Sequence, residues 1–388
     1  MQAKYDPRIV DLQSATVVRS ELDVVFRDLT WTINEGETWA MVGPLGSGKT
    51  SLAETLLGRL RVTSGNIIWP LLDRLRAAGR TINWPSDVIR YVSFKEQSHL
   101  FSNGRHYYQQ RFNFIEPQDD LSLDAFLRSD KLAANEAVLS AAKRLGIDSL
   151  LNLSLIKLSN GQIRRARIAR AMLSKPEWLI LDEPFMGLDA AGRREVADLL
   201  GNLVSQGTRL LLIVHPEEIP DWVTHVVELE RQAIRWQGSR TEYRQNDSAV
   251  TTGPFPRSSS VASTANPLVE MHQVNVQYDA KPILQDITWV VRAGERWALI
   301  GPNGSGKTTL LSLICGDHPQ AYSNDIRLFG KQRGTGESIW DIKRRIGLLF
   351  PELHLYYSEP LTAFRTAATG FFDVLAYRST TPEQDARI

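Results

Sequence analysis

Cysteine and long apolar runs are scarce in this chain of 388 residues. Its single cysteine, Cys315, excludes an intramolecular disulfide framework and a cysteine-rich zinc site, and it favours a reducing compartment. No run approaches the roughly 18 consecutive apolar residues of a membrane-spanning helix. The N-terminus includes Asp6 and Pro7 and lacks the apolar core of a secretory signal. We therefore predict a soluble, cytoplasmic protein.

Charge of one sign is also lacking, because 45 basic side chains stand against 44 acidic ones. The net charge of +1 disfavours nucleic acid as a general partner, since domains that coat nucleic acid carry a clear basic excess. Hydrophobic residues make up 43% of the chain and charged residues 23%, which excludes general disorder. The length is enough for roughly two or three domains.

The chain contains an internal repeat. Residues 28–51 laid over residues 286–309 are identical at 14 of 24 positions. The shared strings include Gly-Glu-x-Trp-Ala and Gly-Pro-x-Gly-Ser-Gly-Lys-Thr. Chance does not produce such agreement within one chain, so the sequence predicts two homologous units.

A segment of different composition separates the two units. We assign residues 1–240 to the first unit, residues 241–267 to a linker and residues 268–388 to the second unit. Residues 251–267 are rich in Ser, Thr and Pro and carry one charge, Arg257. Such a segment cannot bury enough apolar surface to fold, which predicts a flexible linker.

Short apolar runs alternate with helical patterns along the first unit. This alternation predicts an α/β fold with a mostly parallel sheet. The predicted strands cover residues 38–42, 178–181 and 210–214, and the predicted helices cover residues 51–60, 121–151 and 163–173.

Two segments fit the pattern of a phosphate-binding loop, and each follows an apolar run and precedes a helical pattern. Glycines let backbone N–H groups curl around phosphates, the lysine supplies a point charge, and the following threonine offers a hydroxyl to Mg²⁺. The flanking patterns disfavour the alternative, a plain glycine turn. The nucleotide-binding residues predicted in the first unit are Gly43, Pro44, Leu45, Gly46, Ser47, Gly48, Lys49, Thr50 and Ser51. Those in the second unit are Gly301, Pro302, Asn303, Gly304, Ser305, Gly306, Lys307, Thr308 and Thr309.

Two adjacent carboxylates, Asp182 and Glu183, follow the strand pattern of residues 178–181. Strand alternation predicts that their side chains point in opposite directions. Asp182 is predicted to hold Mg²⁺, together with Thr50, and Glu183 to orient or deprotonate the attacking water. The alternative is a solvated strand end, which is less favoured in a chain that carries phosphate loops.

A small polar loop precedes the helical pattern of residues 163–173, where a helix N-terminus would offer an anion site. An ordinary helix cap is the alternative. We call this loop the signature segment; it consists of Leu158, Ser159, Asn160, Gly161 and Gln162. Four arginines on the following helix are predicted to form a solvated face that also supports the signature segment: Arg164, Arg165, Arg167 and Arg170.

In their order, the first phosphate loop, the signature segment, Glu183, Asp189 and His215 resemble the motifs of ATP-binding cassette ATPases. The resemblance implies a P-loop NTPase fold of the cassette type, with a mostly parallel sheet and a helical subdomain. It implies that Lys49, Glu183 and His215 act in ATP hydrolysis, with His215 contacting the γ-phosphate. It also implies that Asp189 lies at a dimer seam and that the signature segment contacts ATP on the opposite cassette. Outside this resemblance, His215 would be a strand-end histidine.

The chain departs from the family pattern at several positions. Tyr278 fits the adenine-stacking aromatic residue in the second unit, but its counterpart in the first unit is Ser20. Phe94 occupies the place of a glutamine that the family positions near the metal, and Gln97 is predicted to substitute as a metal ligand. Asn160 replaces a glycine of the family motif, which is tolerable because asparagine adopts left-handed backbone more readily than most residues.

The second unit resembles tandem members of this family that are linked by name to molybdenum transport, through residues 310–325 and 339–343. Shifting Asp182 by 258 positions passes the last residue, Ile388, so we expect an incomplete second cassette. We therefore expect hydrolysis to require two chains that pair through their first units, or another cassette subunit. The second unit is expected to be partly unfolded or protease-sensitive.

Three functions stay open at this stage. The leading one is an ATPase that uses ATP and Mg²⁺ to energise a membrane permease at the inner face of the cell membrane, with molybdate implied only by a name. The alternatives are a non-transport ATPase that acts on nucleic acid or the translation machinery, and a binding-only regulator. The short linker and the single cysteine disfavour the known non-transport designs.

Overall fold

The structure, a computed structural model, has two compact units, one within Met1–Glu96 and Pro117–Asp247 and the other within Gln97–Glu116 and Ser248–Ile388. Each unit has an apolar core of its own. The residues that the structure describes are 5–21, 23–94, 121–128, 134–155, 158–244, 266–278, 281–316, 318–349, 357, 361–372 and 376–388.

The first unit combines β-strands and α-helices along the whole of its described length. Its strands are β1 (Arg8–Ser20), β2 (Asp23–Asn34), β3 (Trp39–Val42), β4 (Arg61–Ile68), β5 (Ile89–Ser93), β6 (Trp178–Asp182), β7 (Arg209–Ile213), β8 (His225–Glu230) and β9 (Ala233–Ser239). Its helices are α1 (Lys49–Leu56), α2 (Pro70–Ala77), α3 (Leu123–Leu127), α4 (Asn135–Arg144), α5 (Asn160–Leu173) and α6 (Ala190–Ser205).

A six-stranded sheet of order β5-β6-β7-β3-β8-β9 supports the first phosphate loop. Every neighbouring pair is parallel except β8 and β9. All residues of β3 and β6 are buried, as expected for strands covered on both faces. The predicted α/β fold with a mostly parallel sheet is therefore confirmed, and the three predicted strands correspond to β3, β6 and β7.

A second, antiparallel sheet of order β2-β1-β4 was not predicted from the sequence. Its apolar side chains belong to the same core as those of β3, and Phe26 and Trp31 are among the largest fully buried residues. The rings of Trp31 and Trp39 meet edge to face with centroids 5.2 Å apart. Burying a side chain of this kind contributes about 1.5–3 kcal/mol, so this contact joins the two sheets firmly.

The helical region predicted at residues 121–151 is divided into shorter elements. It contains α3, α4 and a 3-10 turn at Asp148–Leu150, and α3 and α4 both pack on α5. These helices form the expected helical subdomain. Helix α5 begins at Asn160, inside the signature segment and earlier than predicted.

The described part of the second unit is built on an antiparallel sheet of order β11-β10-β12-β13. The segment 297–300, which matches β3 in the repeat, forms no strand in this described part, and Trp297 and Ile300 are 58% and 89% exposed. No helix in the described ranges combines the length and apolar content that a membrane crossing requires. The elements are β10 (Pro267–Tyr278), β11 (Lys281–Arg292), α7 (Lys307–Cys315), β12 (Asp325–Leu328), β13 (Lys331–Gln332), α8 (Ile339–Lys343), α9 (Ala363–Thr369) and α10 (Pro382–Asp385).

Candidate nucleotide-binding and hydrolysis site

The first phosphate loop connects the carboxyl end of β3 to the N-terminus of α1. Gly48 precedes α1 in a left-handed conformation with φ 101°, which favours glycine. The Lys49 ammonium donates hydrogen bonds to the carbonyl oxygens of Gly43 and Pro44 at 2.5 and 2.9 Å. One ammonium and the N–H groups of a helix N-terminus therefore lie together, which suits an anion such as phosphate.

The second phosphate loop has the same local geometry. Gly306 precedes α7 with φ 87°. Lys307 Nζ donates to the carbonyl oxygens of Gly301 and Pro302, both at 2.7 Å. Because the two loops belong to separate units, their agreement indicates that the local sequence determines the loop shape.

Thr50 and Asp182 come together beside the first phosphate loop. Thr50 Oγ1 lies 3.5 Å from Asp182 Oδ2, and the Tyr91 hydroxyl donates to the same oxygen at 2.6 Å. In nucleotide sites Mg²⁺ is bound by one or two protein oxygens, and phosphate oxygens and waters complete its coordination. The Thr50 hydroxyl and the Asp182 carboxylate therefore fit Mg²⁺. The described ranges contain no cluster of three His, Cys, Asp or Glu side chains that would hold a metal alone.

Glu183 begins a turn just after β6, and its side chain lies beside His215. Glu Oε2 is 3.7 Å from His Nε2, and the two side chains are 7% and 57% exposed. Glu183 has φ 57°, which is uncommon for a residue other than glycine. The strand ends at Asp182, so the turn and not strand alternation determines where the Glu183 side chain lies. The opposite directions of the two carboxylates stay a prediction.

The signature segment forms the N-terminal cap of α5. The Gln162 N–H donates to Ser159 Oγ at 3.3 Å, and the Ser159 N–H donates to Gln162 Oε1 at 2.9 Å. Asp189 has a similar place in α6, where its Oδ1 accepts the Gly192 N–H at 2.8 Å. The ordinary helix cap is thus present at both positions, and nucleotide or dimer contacts there stay predictions.

The prediction of a solvated arginine face on α5 is wrong at Arg164, because this residue is only 8% exposed. Its guanidinium donates to the carbonyl oxygens of Glu183 and Pro184 at 3.2 and 3.1 Å, and also to that of Met186. Burial, with the nearby charge of Arg167, lowers the pKa of Arg164 to about 10, so the group stays charged at neutral pH. Helical spacing could not reveal this contact, since it joins α5 to a turn that follows another strand.

Phe94 occupies the position at which the family pattern has a glutamine. Its ring is buried, and the guanidinium carbons of Arg164 and Arg167 lie 5.1 and 5.2 Å from its centroid. The Phe94 N–H donates to the Asp182 carbonyl oxygen at 2.8 Å. Phe94 therefore joins the end of β6 to α5, whereas Gln97, the predicted metal ligand, lies outside the described residues.

Tyr278, the predicted adenine-stacking residue of the second unit, contacts a buried histidine. Its hydroxyl lies 2.6 Å from His318 Nε2, and His318 Nδ1 accepts the Gln320 N–H at 3.2 Å. Burial lowers the pKa of His318, which favours the neutral ring with its proton on Nε2. This contact holds the Tyr278 side chain, and its role toward adenine stays a prediction.

Arg19 contacts the phosphate-loop helix and was missed by the sequence analysis. Its guanidinium donates to Ser51 Oγ at 2.9 Å and pairs with Asp23 Oδ2 at 3.0 Å. Arg19 directly precedes Ser20, the position at which the aromatic residue is missing. No motif marks Arg19, because the contact joins the end of β1 to α1, which are far apart in the sequence.

Comparison with known proteins agrees with the motifs and the geometry. A profile of the family described as ABC transporter matches residues 26–186 and 284–383, which is more than half of the chain. The chain belongs to the ABC transporter family. The resemblance to ATP-binding cassette ATPases is confirmed, and members of this family hydrolyse ATP.

Two of the relatives cover nearly nine tenths of the chain. An uncharacterized ABC transporter ATP-binding protein of Schizosaccharomyces pombe is 34% identical over 360 residues, which cover 89% of this chain and 72% of that protein. The ABC transporter ATP-binding protein ModF of Escherichia coli is 35% identical over 358 residues, covering 88% and 70%. The solved structure of cbiO1 from Clostridium perfringens aligns with 60% of this chain and 89% of its own, at 22% identity and a TM-score of 0.48.

Proposed function

We propose that the first unit binds ATP with Mg²⁺ and hydrolyses it at the first phosphate loop. The observation that supports this most is that side chains at or just after the carboxyl ends of β3, β6 and β7 lie close together. There Thr50 lies 3.5 Å from Asp182, and Glu183 lies 3.7 Å from His215. In open α/β sheets, ligands bind at these strand ends.

Each of these residues has a distinct task in the proposed reaction. The loop N–H groups and Lys49 bind the outer phosphates, and Thr50 and Asp182 hold Mg²⁺. The metal would neutralise charge on the phosphate oxygens. Glu183 accepts a hydrogen bond from the attacking water and takes up its proton, while His215 contacts the γ-phosphate beside it. Because the Glu183 carboxylate is largely buried, few other waters compete for it.

The variant Glu183→Gln tests the hydrolytic role. Loss of a general base lowers turnover by about 10²–10⁴-fold, and ATP binding should persist because the phosphate loop is unchanged. Steady-state phosphate release and equilibrium nucleotide binding measure the two effects. Removal of Mg²⁺ with EDTA should abolish turnover in the wild type.

Glu195→Gln is the matched control. Glu195 is an exposed carboxylate of α6 that pairs with Arg165 at 3.0 Å. We expect its loss to change turnover by less than about twofold, since exposed ion pairs contribute little. Equal turnover in the wild type and in Glu183→Gln would contradict the proposed role of Glu183.

We further propose that this ATPase energises a membrane permease. Support comes from the family itself and from relatives that are named as ABC transporter ATP-binding proteins. Molybdate is supported only by a relative's name. Crosslinking in cells followed by mass spectrometry should recover a membrane permease; recovery of ribosomes or DNA instead would favour the non-transport alternative.

A further inference from the structure

Arg164 links three parts of the first unit that lie far apart in the sequence. It belongs to α5, two positions after the last residue of the signature segment. Its guanidinium donates to carbonyl oxygens at residues 183, 184 and 186. The same group lies over the ring of Phe94, which follows β5. One side chain therefore connects the signature helix, the turn after β6 and the end of β5.

The turn at residues 183–186 depends on such a connection. Glu183 has φ 57°, a conformation that persists in a non-glycine residue only when surrounding contacts hold it. On one side, the Glu183 N–H donates to the Ile213 carbonyl oxygen of β7 at 2.8 Å. On the other side, the Arg164 guanidinium donates hydrogen bonds to the carbonyl oxygens of the turn. A guanidinium suits this task because its planar fork carries several donors in fixed directions.

We propose that Arg164 is a positioning residue that fixes the Glu183 carboxylate by tying residues 183–186 to the helix that carries the signature segment. Phe94 supports it by covering one face of the guanidinium. A shift of the N-terminus of α5 then moves the turn with it, so the place of Glu183 depends on the signature segment of the same chain. This inference rests on the proposed hydrolytic function of Glu183.

Arg164→Met tests the positioning role, because it keeps much of the side-chain length and removes all donors. We expect kcat to fall by roughly 10–100-fold, the cost of a misplacement of about 1 Å in the catalytic group. The Kd for ATP should change by less than about twofold, because the hydrogen bonds of Arg164 go to residues 183, 184 and 186 and the sequence of the first phosphate loop is unchanged. Arg164→Lys should recover part of the loss, since it keeps the charge but not the fork.

Ile168→Ala is the matched control on the same helix. Ile168 is fully buried in α5. The cavity left by this change should lower the melting temperature at least as much as Arg164→Met does, while kcat stays within about twofold of the wild type. If both variants lower kcat equally, the effect of Arg164 is general destabilisation and the inference is overturned.

A double-mutant cycle separates this inference from the proposed function. If Arg164 acts through Glu183, Arg164→Met should cause no further loss of turnover in the Glu183→Gln background. Multiplicative losses would overturn the positioning role and leave the role of Glu183 intact. Unchanged turnover in Glu183→Gln alone would instead overturn the proposed function.

Hydrogen exchange of the apoprotein tests whether Arg164 holds residues 183–186, and it requires no turnover. The amides of Glu183, Phe185 and Met186 should exchange faster in Arg164→Met, while the amides of residues 43–50 keep their rates. Equal exchange at the turn in the wild type and in the variant would show that Arg164 does not hold it. Phe94→Leu provides a milder change, and we expect a smaller shift in the same direction.

Discussion

Close packing beneath each phosphate loop restricts the residue at the start of the following helix. A Cβ atom at Gly48 would lie 2.9 Å from Phe26 Cζ, and one at Gly306 would lie 2.7 Å from Leu284 Cδ2. Phe26 and Leu284 are equivalent positions of the repeat, so both units use an apolar side chain in the same place. The two glycines therefore meet a conformational and a steric requirement together.

We predict that Gly48→Ala destabilises the protein more than Gly46→Ala. Both glycines have positive φ, 101° and 77°, so both alanines are strained by about 1–2 kcal/mol. Only at Gly48 does the added methyl group meet a neighbour, because nothing lies within 4 Å of a Cβ at Gly46. The contact adds about 1–3 kcal/mol, which urea unfolding of the two full-length variants would measure. Equal losses would show that Phe26 moves aside at no cost.

At the level of the single element, one apolar pattern forms a strand in the first unit and no strand in the described part of the second unit. Trp39 and its neighbours form β3, which is hydrogen-bonded between β7 and β8 and buried on both faces. The equivalent segment 297–300 has nearly the same residues but forms no strand in the part of the unit that the structure describes. A central strand is stable only with its neighbours, since an apolar run without them leaves backbone groups and side chains in water.

Chymotrypsin should therefore cleave after Trp297 long before it cleaves after Trp39. The two tryptophans are 58% and 4% exposed, and proteases act on chain segments that open easily. Limited digestion of the native full chain, followed by mass spectrometry of the fragments, would give the order of cleavage. Similar rates at the two sites would mean that segment 297–300 is covered in solution.

Over the whole molecule, the phosphate loop is the motif that both units share. Both have a phosphate loop of the same geometry, whereas the signature segment, Asp182, Glu183 and His215 belong to the first unit. Cassettes of this family typically pair, and the signature segment lies at a helix N-terminus where an anion from a partner could bind. We propose that two copies of the chain pair through their first units.

Turnover per chain should then rise with protein concentration and level off once the chains are paired. A two-fold symmetric pair forms by mass action, so only the paired fraction would hydrolyse ATP. Phosphate release over a dilution series, with molecular mass from light scattering at each concentration, would test this. A constant rate per chain across a transition from monomer to dimer would contradict the pairing.

The sequence predicted the parts of the site that depend on local pattern. The phosphate loops, strand β6 with its two terminal carboxylates and the helix at the signature segment all involve residues close together in the chain, where periodicity and glycine placement carry the information. It did not predict Tyr91 beside Asp182, which depends on which strands are neighbours in the sheet, or Arg19 beside Ser51, which joins a strand to a helix distant in sequence.

Sequence alone was thus sufficient to determine the repeat, the two phosphate loops, the α/β class and the family of this protein. The tertiary structure decided that Glu183 leaves the strand, that Arg164 is buried against the turn, and that segment 297–300 stays exposed while β3 is covered. The reason is physical: a local pattern specifies hydrogen bonds within a few residues, whereas burial and charge pairing depend on neighbours that only the folded sheet brings together.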